Sequence, residues 1–200
     1  RGFALAHRDC PRLRLVIAGD GEEREKLGEL AKELGVENEV TFAGWISGGM
    51  DRFYSALDIN ALTSLSETFP YALTEGARFH LATVATAVGG IPYLIDQDVS
   101  GYLFTPGDAE TLGKRLAALG NDDALRRDMG EKLYEKASRD FSIQKTVDTQ
   151  LHIYQEILRR CHRERKARDG VVICGAYGRG NAGDDAILEA ILQEMRSLDP

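Results

Sequence analysis

The sequence predicts a mixed α/β fold in which a mostly parallel sheet carries helices on both faces. Short apolar runs alternate with stretches of helical periodicity from Leu13 to Thr86, the pattern of successive βαβ units. The runs end at turn signals such as Gly19-Asp20-Gly21 and Gly89-Gly90-Ile91-Pro92. Right-handed crossovers between parallel strands place the helices on both faces, and ligands bind beyond the carboxyl ends of such strands.

The opening Arg1-Gly2-Phe3-Ala4-Leu5-Ala6 reads as the middle of a helix. Leu13–Ala18 is the first strand. Glu22–Leu34 follows as a helix, with Leu27, Leu30, Ala31 and Leu34 on one face, acidic residues in its first turn and Gly35 closing it. Glu39–Phe42 is the next strand and Met50–Leu57 a short helix. Asp58–Leu62 is a strand, Phe69–Phe79 a helix and Ala82–Thr86 a strand, which Gly89–Pro92 breaks. After Gly101-Tyr102-Leu103-Phe104 the chain becomes helical. Asp108 caps a helix to Leu119, and Asp122 or Asp123 caps another to about Ala137. A third runs from about Ile143 to Arg160 or beyond.

Composition narrows the function. The chain has 200 residues, of which 43% are hydrophobic and 28% charged, as in ordinary globular proteins. A net charge of −7 argues against a nucleic-acid binder. Cys10, Cys161 and Cys174 are too far apart for a zinc motif or a disulfide framework, which predicts a reducing, cytoplasmic compartment. No apolar run is long enough to span a membrane. The chain starts without Met and ends as arbitrarily at Pro200, so it is expected to be a piece of a longer protein.

The most informative stretch runs from Ser64 to Gly76. Glu67 lies in a loop and Glu75 eight positions later on the following helix. Pro70 suits the first turn of that helix, whose free amides offer a phosphate site. Two carboxylates so placed can accept hydrogen bonds from two hydroxyl-rich parts of one ligand. On spacing alone the simpler reading is favoured, with Glu67 as a helix cap and Glu75 as a surface residue.

Further motifs follow in order. They are Leu15–Gly21, Val40–Trp45, Ala56–Ile59, the Glu67/Glu75 pair, Val84–Pro92, Gly101–Leu103 and Pro106–Asp108. With these, residues 1–158 resemble the C-terminal, nucleotide-binding domain of family 4 retaining glycosyltransferases, the Rossmann-like half of a GT-B fold. The resemblance implies a catalytic Glu67 that contacts donor-sugar hydroxyls and a Glu75 that holds the ribose hydroxyls. It implies donor binding by Phe69, Pro70, Tyr71, Ala72 and Leu73, with the amides of Tyr71–Leu73 approaching the diphosphate. Gly44 and Trp45 would flank the base, Gly19 would join the site, and Gly89 and Gly90 would turn closely beside it. No metal or resident cofactor is implied; the nucleotide-diphosphate sugar is a substrate. Partners would be that donor and a glycan or lipid-linked acceptor, with no nucleic acid.

This chain departs from the family at Tyr93, where an acidic residue is usual, and at Phe79-His80-Leu81-Ala82, where a Gly-containing turn is usual. His80 reads as a solvent-facing loop residue. The family's cationic diphosphate loop and acceptor domain lie upstream of the matching residues. Two other readings stand beside the transferase. One is a non-catalytic nucleotide-sugar-binding or regulatory module, and the weaker one is a GT-B epimerase or phosphorylase.

Residues 161–170 read as a basic linker. Arg159–Arg168 holds six cationic residues and reads as a solvated helix end or a contact for an anionic membrane surface at its inner face. From 171 to 200 the chain restarts, with Val171–Cys174 as a strand and Asp184–Leu198 as a helix. Gly178, Gly180 and Gly183 between them form G-x-G-x-x-G, in the context of a dinucleotide turn. The stretch Val172–Leu192 more closely resembles the N-terminus of polysaccharide pyruvyl transferases. The whole is thus expected to be a donor-binding domain (1–160), a linker and a truncated βα unit of a pyruvyl transferase-like domain, acting in cell-surface polysaccharide synthesis.

Overall fold

The computed structural model describes residues 1–164, 189 and 191–193. Residues 1–138 form one compact unit and 139–200 a second.

The first unit opens with helix α1 (Gly2–Asp9), which packs on α6 (Ala109–Asn121). Small residues allow the close approach. A side chain at Gly113 would press on Leu5 and on the backbone of Gly2 and Ala6, and one at Gly2 would press on Leu112. Strand β1 (Leu15–Ala18) pairs in parallel with β2 (Val40–Gly44), Leu15 opposite Val40. Between them lie α2 (Arg24–Glu33) and a 3-10 turn at Glu37–Glu39.

Helix α3 (Met50–Ser55) leads to β3 (Ile59–Leu62). Helix α4 (Tyr71–Arg78) leads to β4 (Ala82–Thr86), and α5 (Ile91–Leu94) precedes β5 (Tyr102–Phe104). Strands β3, β4 and β5 pair in parallel in that order. The α/β class and the parallel direction are as expected. The hydrogen bonding nevertheless divides the strands into β1-β2 and β3-β4-β5, and among the described residues no strand pairs with the second edge of β1 or β3.

Every residue of β4 is buried, so this strand carries the core. Ala82 and Val84 pack with Tyr102, Phe104, Leu116 and Met129. Burying such apolar side chains gains about 1.5–3 kcal/mol each for the larger ones. Helix α7 (Asp123–Asp140) closes over the start of β4, where a side chain at Gly130 would overlap the His80 carbonyl.

Several boundaries differ from the expected ones. Helix α4 starts at Tyr71, with Pro70 as its N-cap in an extended conformation and not in its first turn. The predicted break at Gly89–Pro92 runs into the start of α5, with Pro92 in its first turn, where a missing N–H is harmless. Asp122 accepts from the Leu125 amide at 2.9 Å and so is the cap of α7. Asp108 caps α6 as predicted, accepting from the Thr111 amide at 2.9 Å.

In the second unit α8 (Ile143–Glu164) continues four positions beyond Arg160, into the predicted basic linker. Ser142 caps it, accepting from the Lys145 amide at 3.2 Å. The predicted strand Val171–Cys174 and the glycine-rich turn lie outside the described residues. Within the predicted helix Asp184–Leu198, the described Glu189 and Ile191–Gln193 are helical. Among the described residues no helix is long and apolar enough to cross a membrane.

Candidate functional site

The loop after β3 carries Glu67, which is half-buried. It is not a helix cap, since α4 has no side-chain cap. Its Oε1 accepts instead from the Ser64 hydroxyl at 2.7 Å. Ser64 is itself fixed, because its carbonyl accepts from the buried Thr86 hydroxyl at 2.7 Å. The carboxylate is thus tied through two hydroxyls to the end of the buried strand β4.

Gly89 and Gly90 secure the same loop from the other side. Gly89 has φ +51°, and a Cβ there would overlap the Glu67 carbonyl. A Cβ at Gly90 would overlap the Thr68 carbonyl, which accepts from the Gly90 amide at 2.9 Å. Only glycine permits this backbone-on-backbone approach. The predicted close turn beside Glu67 is therefore present.

Glu75 lies one turn into α4 and its side chain is exposed. Its Oε2 accepts from the Tyr54 hydroxyl of α3 at 2.9 Å. Burial, and then the bond to Glu75, push the Tyr54 phenol well above the ordinary tyrosine value. Helix α4 is seated by Asn60 of β3, whose amide donates to the Ala72 carbonyl at 2.9 Å. A Cβ at Gly76 would overlap that amide, so the glycine beside Glu75 makes room for it.

At the start of α4 the Leu73 amide donates to the Pro70 carbonyl at 3.2 Å. The Tyr71 and Ala72 amides are left as the first-turn donors without helical acceptors. Leu73 is fully buried and can serve a ligand only by backbone, whereas Tyr71 is exposed. Phe69 is half-buried and Pro70 buried.

Gly19 and Gly44 come together at the ends of β1 and β2. Both have positive φ, and the Gly19 amide donates to the Gly44 carbonyl at 2.8 Å. Trp45 follows with 79% of its surface exposed. The predicted residues therefore form two groups. Gly19, Gly44 and Trp45 belong to β1-β2, and Glu67 to Glu75 with Gly89 and Gly90 belong to β3-β4.

His80 lies in the exposed turn between α4 and β4, as expected, and is held there by contacts to α7. Its Nδ1 lies 2.8 Å from Glu131, its ring stacks on Tyr134, and its φ is +55°. Tyr93 is exposed on α5. Sequence reasoning missed the roles of Tyr54, Ser64, Asn60 and Thr86; Ser64 and Thr86 stand inside motifs, but residue type and spacing there do not show what their hydroxyls hold. Among the described residues no three His, Cys, Asp or Glu side chains converge to hold a metal ion.

This fold is the one seen in GT-B glycosyltransferases. The C-terminal domain of the group 1 glycosyl transferase LpcC from Francisella tularensis superposes with a TM-score of 0.65 at 24% identity, over 71% of this chain and 76% of that one. HepE of Anabaena, solved in complex with UDP, superposes with a TM-score of 0.65 at 25% identity, over 81% of this chain and 44% of that one. Residues 3–136 match the family described as Glycosyl transferases group 1, and the chain belongs to that family. It is 32% identical to N-acetyl-alpha-D-glucosaminyl L-malate synthase of Bacillus anthracis over 73% of this chain and 38% of that protein. The chain spans about two fifths of the length of such curated relatives.

Proposed function

We propose that this chain supplies the donor-binding half of a retaining glycosyltransferase of family 4 type, which moves a sugar from a nucleotide-diphosphate sugar to a glycan or lipid-linked acceptor. The observation that carries the reading is the pair of anchored carboxylates, Glu67 on the loop after β3 and Glu75 on α4, in a chain of this family.

Each residue has a role that its chemistry allows. A carboxylate accepts hydrogen bonds only, so Glu67 suits sugar hydroxyls and Glu75 suits the ribose diol. The Tyr71 and Ala72 amides at the start of α4 suit a phosphate oxygen. Gly19, Gly44 and Trp45 suit the base. In the reaction the departing nucleoside diphosphate gains negative charge while the sugar becomes oxocarbenium-like. Donors fixed at the phosphate and a carboxylate fixed at the sugar stabilise both changes. The donor is a substrate, and the reading assigns no resident cofactor.

The acceptor-binding half belongs to the part of the relatives' length that this chain does not span. The division into 1–160, a basic linker at 161–170 and the start of a pyruvyl transferase-like domain at 171–200 is part of the same proposal. So is a cytoplasmic enzyme at the inner face of the membrane, serving surface polysaccharide synthesis.

The decisive experiment is a donor screen on the full-length protein, reading nucleoside diphosphate release with each nucleotide sugar. One donor class is expected to turn over, and Glu67→Gln to abolish turnover. A protein that binds nucleotide sugars but turns none over would favour the regulatory module. A protein that binds none would end the reading. The 200-residue chain alone is expected to bind a nucleoside diphosphate weakly and to transfer nothing.

A further inference from the structure

We infer that Tyr54 is a positioning residue, holding the Glu75 carboxylate in one rotamer so that it receives the donor's ribose hydroxyls already oriented. The inference rests on the reading of Glu75 as the ribose contact.

Packing alone does not explain the tyrosine. Its side chain is 5% exposed, and its ring stacks on Phe79 with centroids 5.6 Å apart and meets Phe53 edge-on at 5.6 Å. Phenylalanine would fill that space equally well. The hydroxyl is the remaining feature, and a buried hydroxyl requires a partner.

Two acceptors lie near it. The Ala72 carbonyl is 3.5 Å away and already receives the Asn60 amide at 2.9 Å. The Glu75 Oε2 is 2.9 Å away. The single phenolic proton therefore goes to Glu75. At physiological pH the phenol is protonated, and the carboxylate, which can only accept, takes that proton as a hydrogen bond.

The effect falls on an exposed side chain. An exposed glutamate samples many rotamers, and ordering them on binding opposes association. The bond from α3 fixes Glu75 beforehand. It engages one lone pair of Oε2 and leaves Oε1 and the other Oε2 lone pair to accept from a ligand diol. Met50, Asp51, Arg78 and Phe79 line the same small cleft as Tyr54 and Glu75, and Asp51, Glu75 and Arg78 of this lining are exposed.

The test uses the 200-residue chain and titration calorimetry with UDP, GDP and ADP, each beside its 2′,3′-dideoxy counterpart. Tyr54→Phe is expected to weaken binding of the preferred ribonucleotide by ~3–10-fold, the scale of one lost hydrogen bond, and to leave the dideoxy form unchanged. The double variant with Glu75→Gln should bind no more weakly than Glu75→Gln alone, because the two residues act as one unit. Para-aminophenylalanine at position 54 keeps a donor and should restore affinity.

Equal weakening of the ribo and dideoxy forms by Tyr54→Phe would assign the residue to packing and overturn the inference. So would a Glu75→Gln effect that Tyr54→Phe does not share. If Glu75→Gln leaves every nucleotide's affinity intact, or none binds the unsubstituted chain, the ribose role of Glu75 falls and the inference with it. Should Tyr54→Phe not fold, alkaline titration of the Tyr54 phenol in Glu75→Gln decides. A lower midpoint supports the bond to the carboxylate, and an unchanged one overturns it.

Discussion

The Tyr54 hydroxyl and the Glu75 carboxylate meet at 2.9 Å although 21 positions separate them in the chain. The contact joins a short helix to the side chain proposed to bind the ribose. It also makes one buried proton part of the fold.

That proton gives an alkaline signature. The Tyr54 phenol titrates above its ordinary value of 10.0 in the folded state, so its contribution to stability is intact below pH 10. The contribution is lost as pH rises through the folded-state value. Chemical denaturation should therefore show the wild type losing more stability than Tyr54→Phe above pH 10. At neutral pH the variant should be about 0.5–1.5 kcal/mol less stable. Parallel curves for the two proteins at high pH would contradict the assignment.

An acidic signature comes from α6. The side chain and backbone of Thr111 hold the Asp108 carboxyl below its ordinary value of 3.8. The stability it brings is present above pH 3.8 and fades as pH falls through the lower folded-state value. Asparagine caps helices comparably but does not titrate. The gap between wild type and Asp108→Asn should thus close in acid, measured by thermal unfolding from neutral pH downward. A gap that stays constant would mean the cap is not ionised.

Gly89→Ala should be among the most damaging small changes. It combines a positive φ with overlap of the Glu67 carbonyl. Strain and displaced backbone together suggest a cost of about 2–4 kcal/mol. Gly48→Ala provides the control, since a Cβ there meets nothing within 4 Å. Similar melting temperatures for the two variants would be inconsistent with this packing.

Thr86→Val keeps the shape of a fully buried side chain and removes the bond to the Ser64 carbonyl. A buried acceptor without a partner costs about 1–3 kcal/mol. The Ser64 hydroxyl that orients Glu67 should also lose its fixed position. Melting should therefore fall, and in the transferase activity proposed for the full-length protein kcat should fall more than KM rises. Unchanged kinetics at full folding would remove Thr86 from the support of Glu67.

Much of this was legible in the sequence, and the exceptions have local causes. The strands through Thr86 were readable because each is a short apolar run bounded by glycine or a charged turn. The parallel direction followed from the intervening helices. Helix α5 was not readable, since Gly-Gly-x-Pro signals a break and nothing nearby tells that Pro92 lies in a first turn. The exposed turn at His80 was readable, but its partner Glu131 was not, because that residue lies 51 positions away. For the same reason the carboxylates were visible as candidates while their supports were not. Local periodicity says nothing about which hydroxyl will arrive from another element. The separation of β1-β2 from β3-β4-β5 was equally hidden, because strand order is not written in any single segment.

The supports of Glu67 and Glu75 share no residue. Ser64 of the loop after β3, itself held by Thr86 of β4, orients the first, and Tyr54 holds the second from α3. Changes at separate supports act nearly additively when they share no partner. Selection can therefore adjust the orientation of one carboxylate without disturbing the other. A lineage can rebuild the hydroxyl support beneath Glu67 while the bond from α3 to Glu75 passes down unaltered.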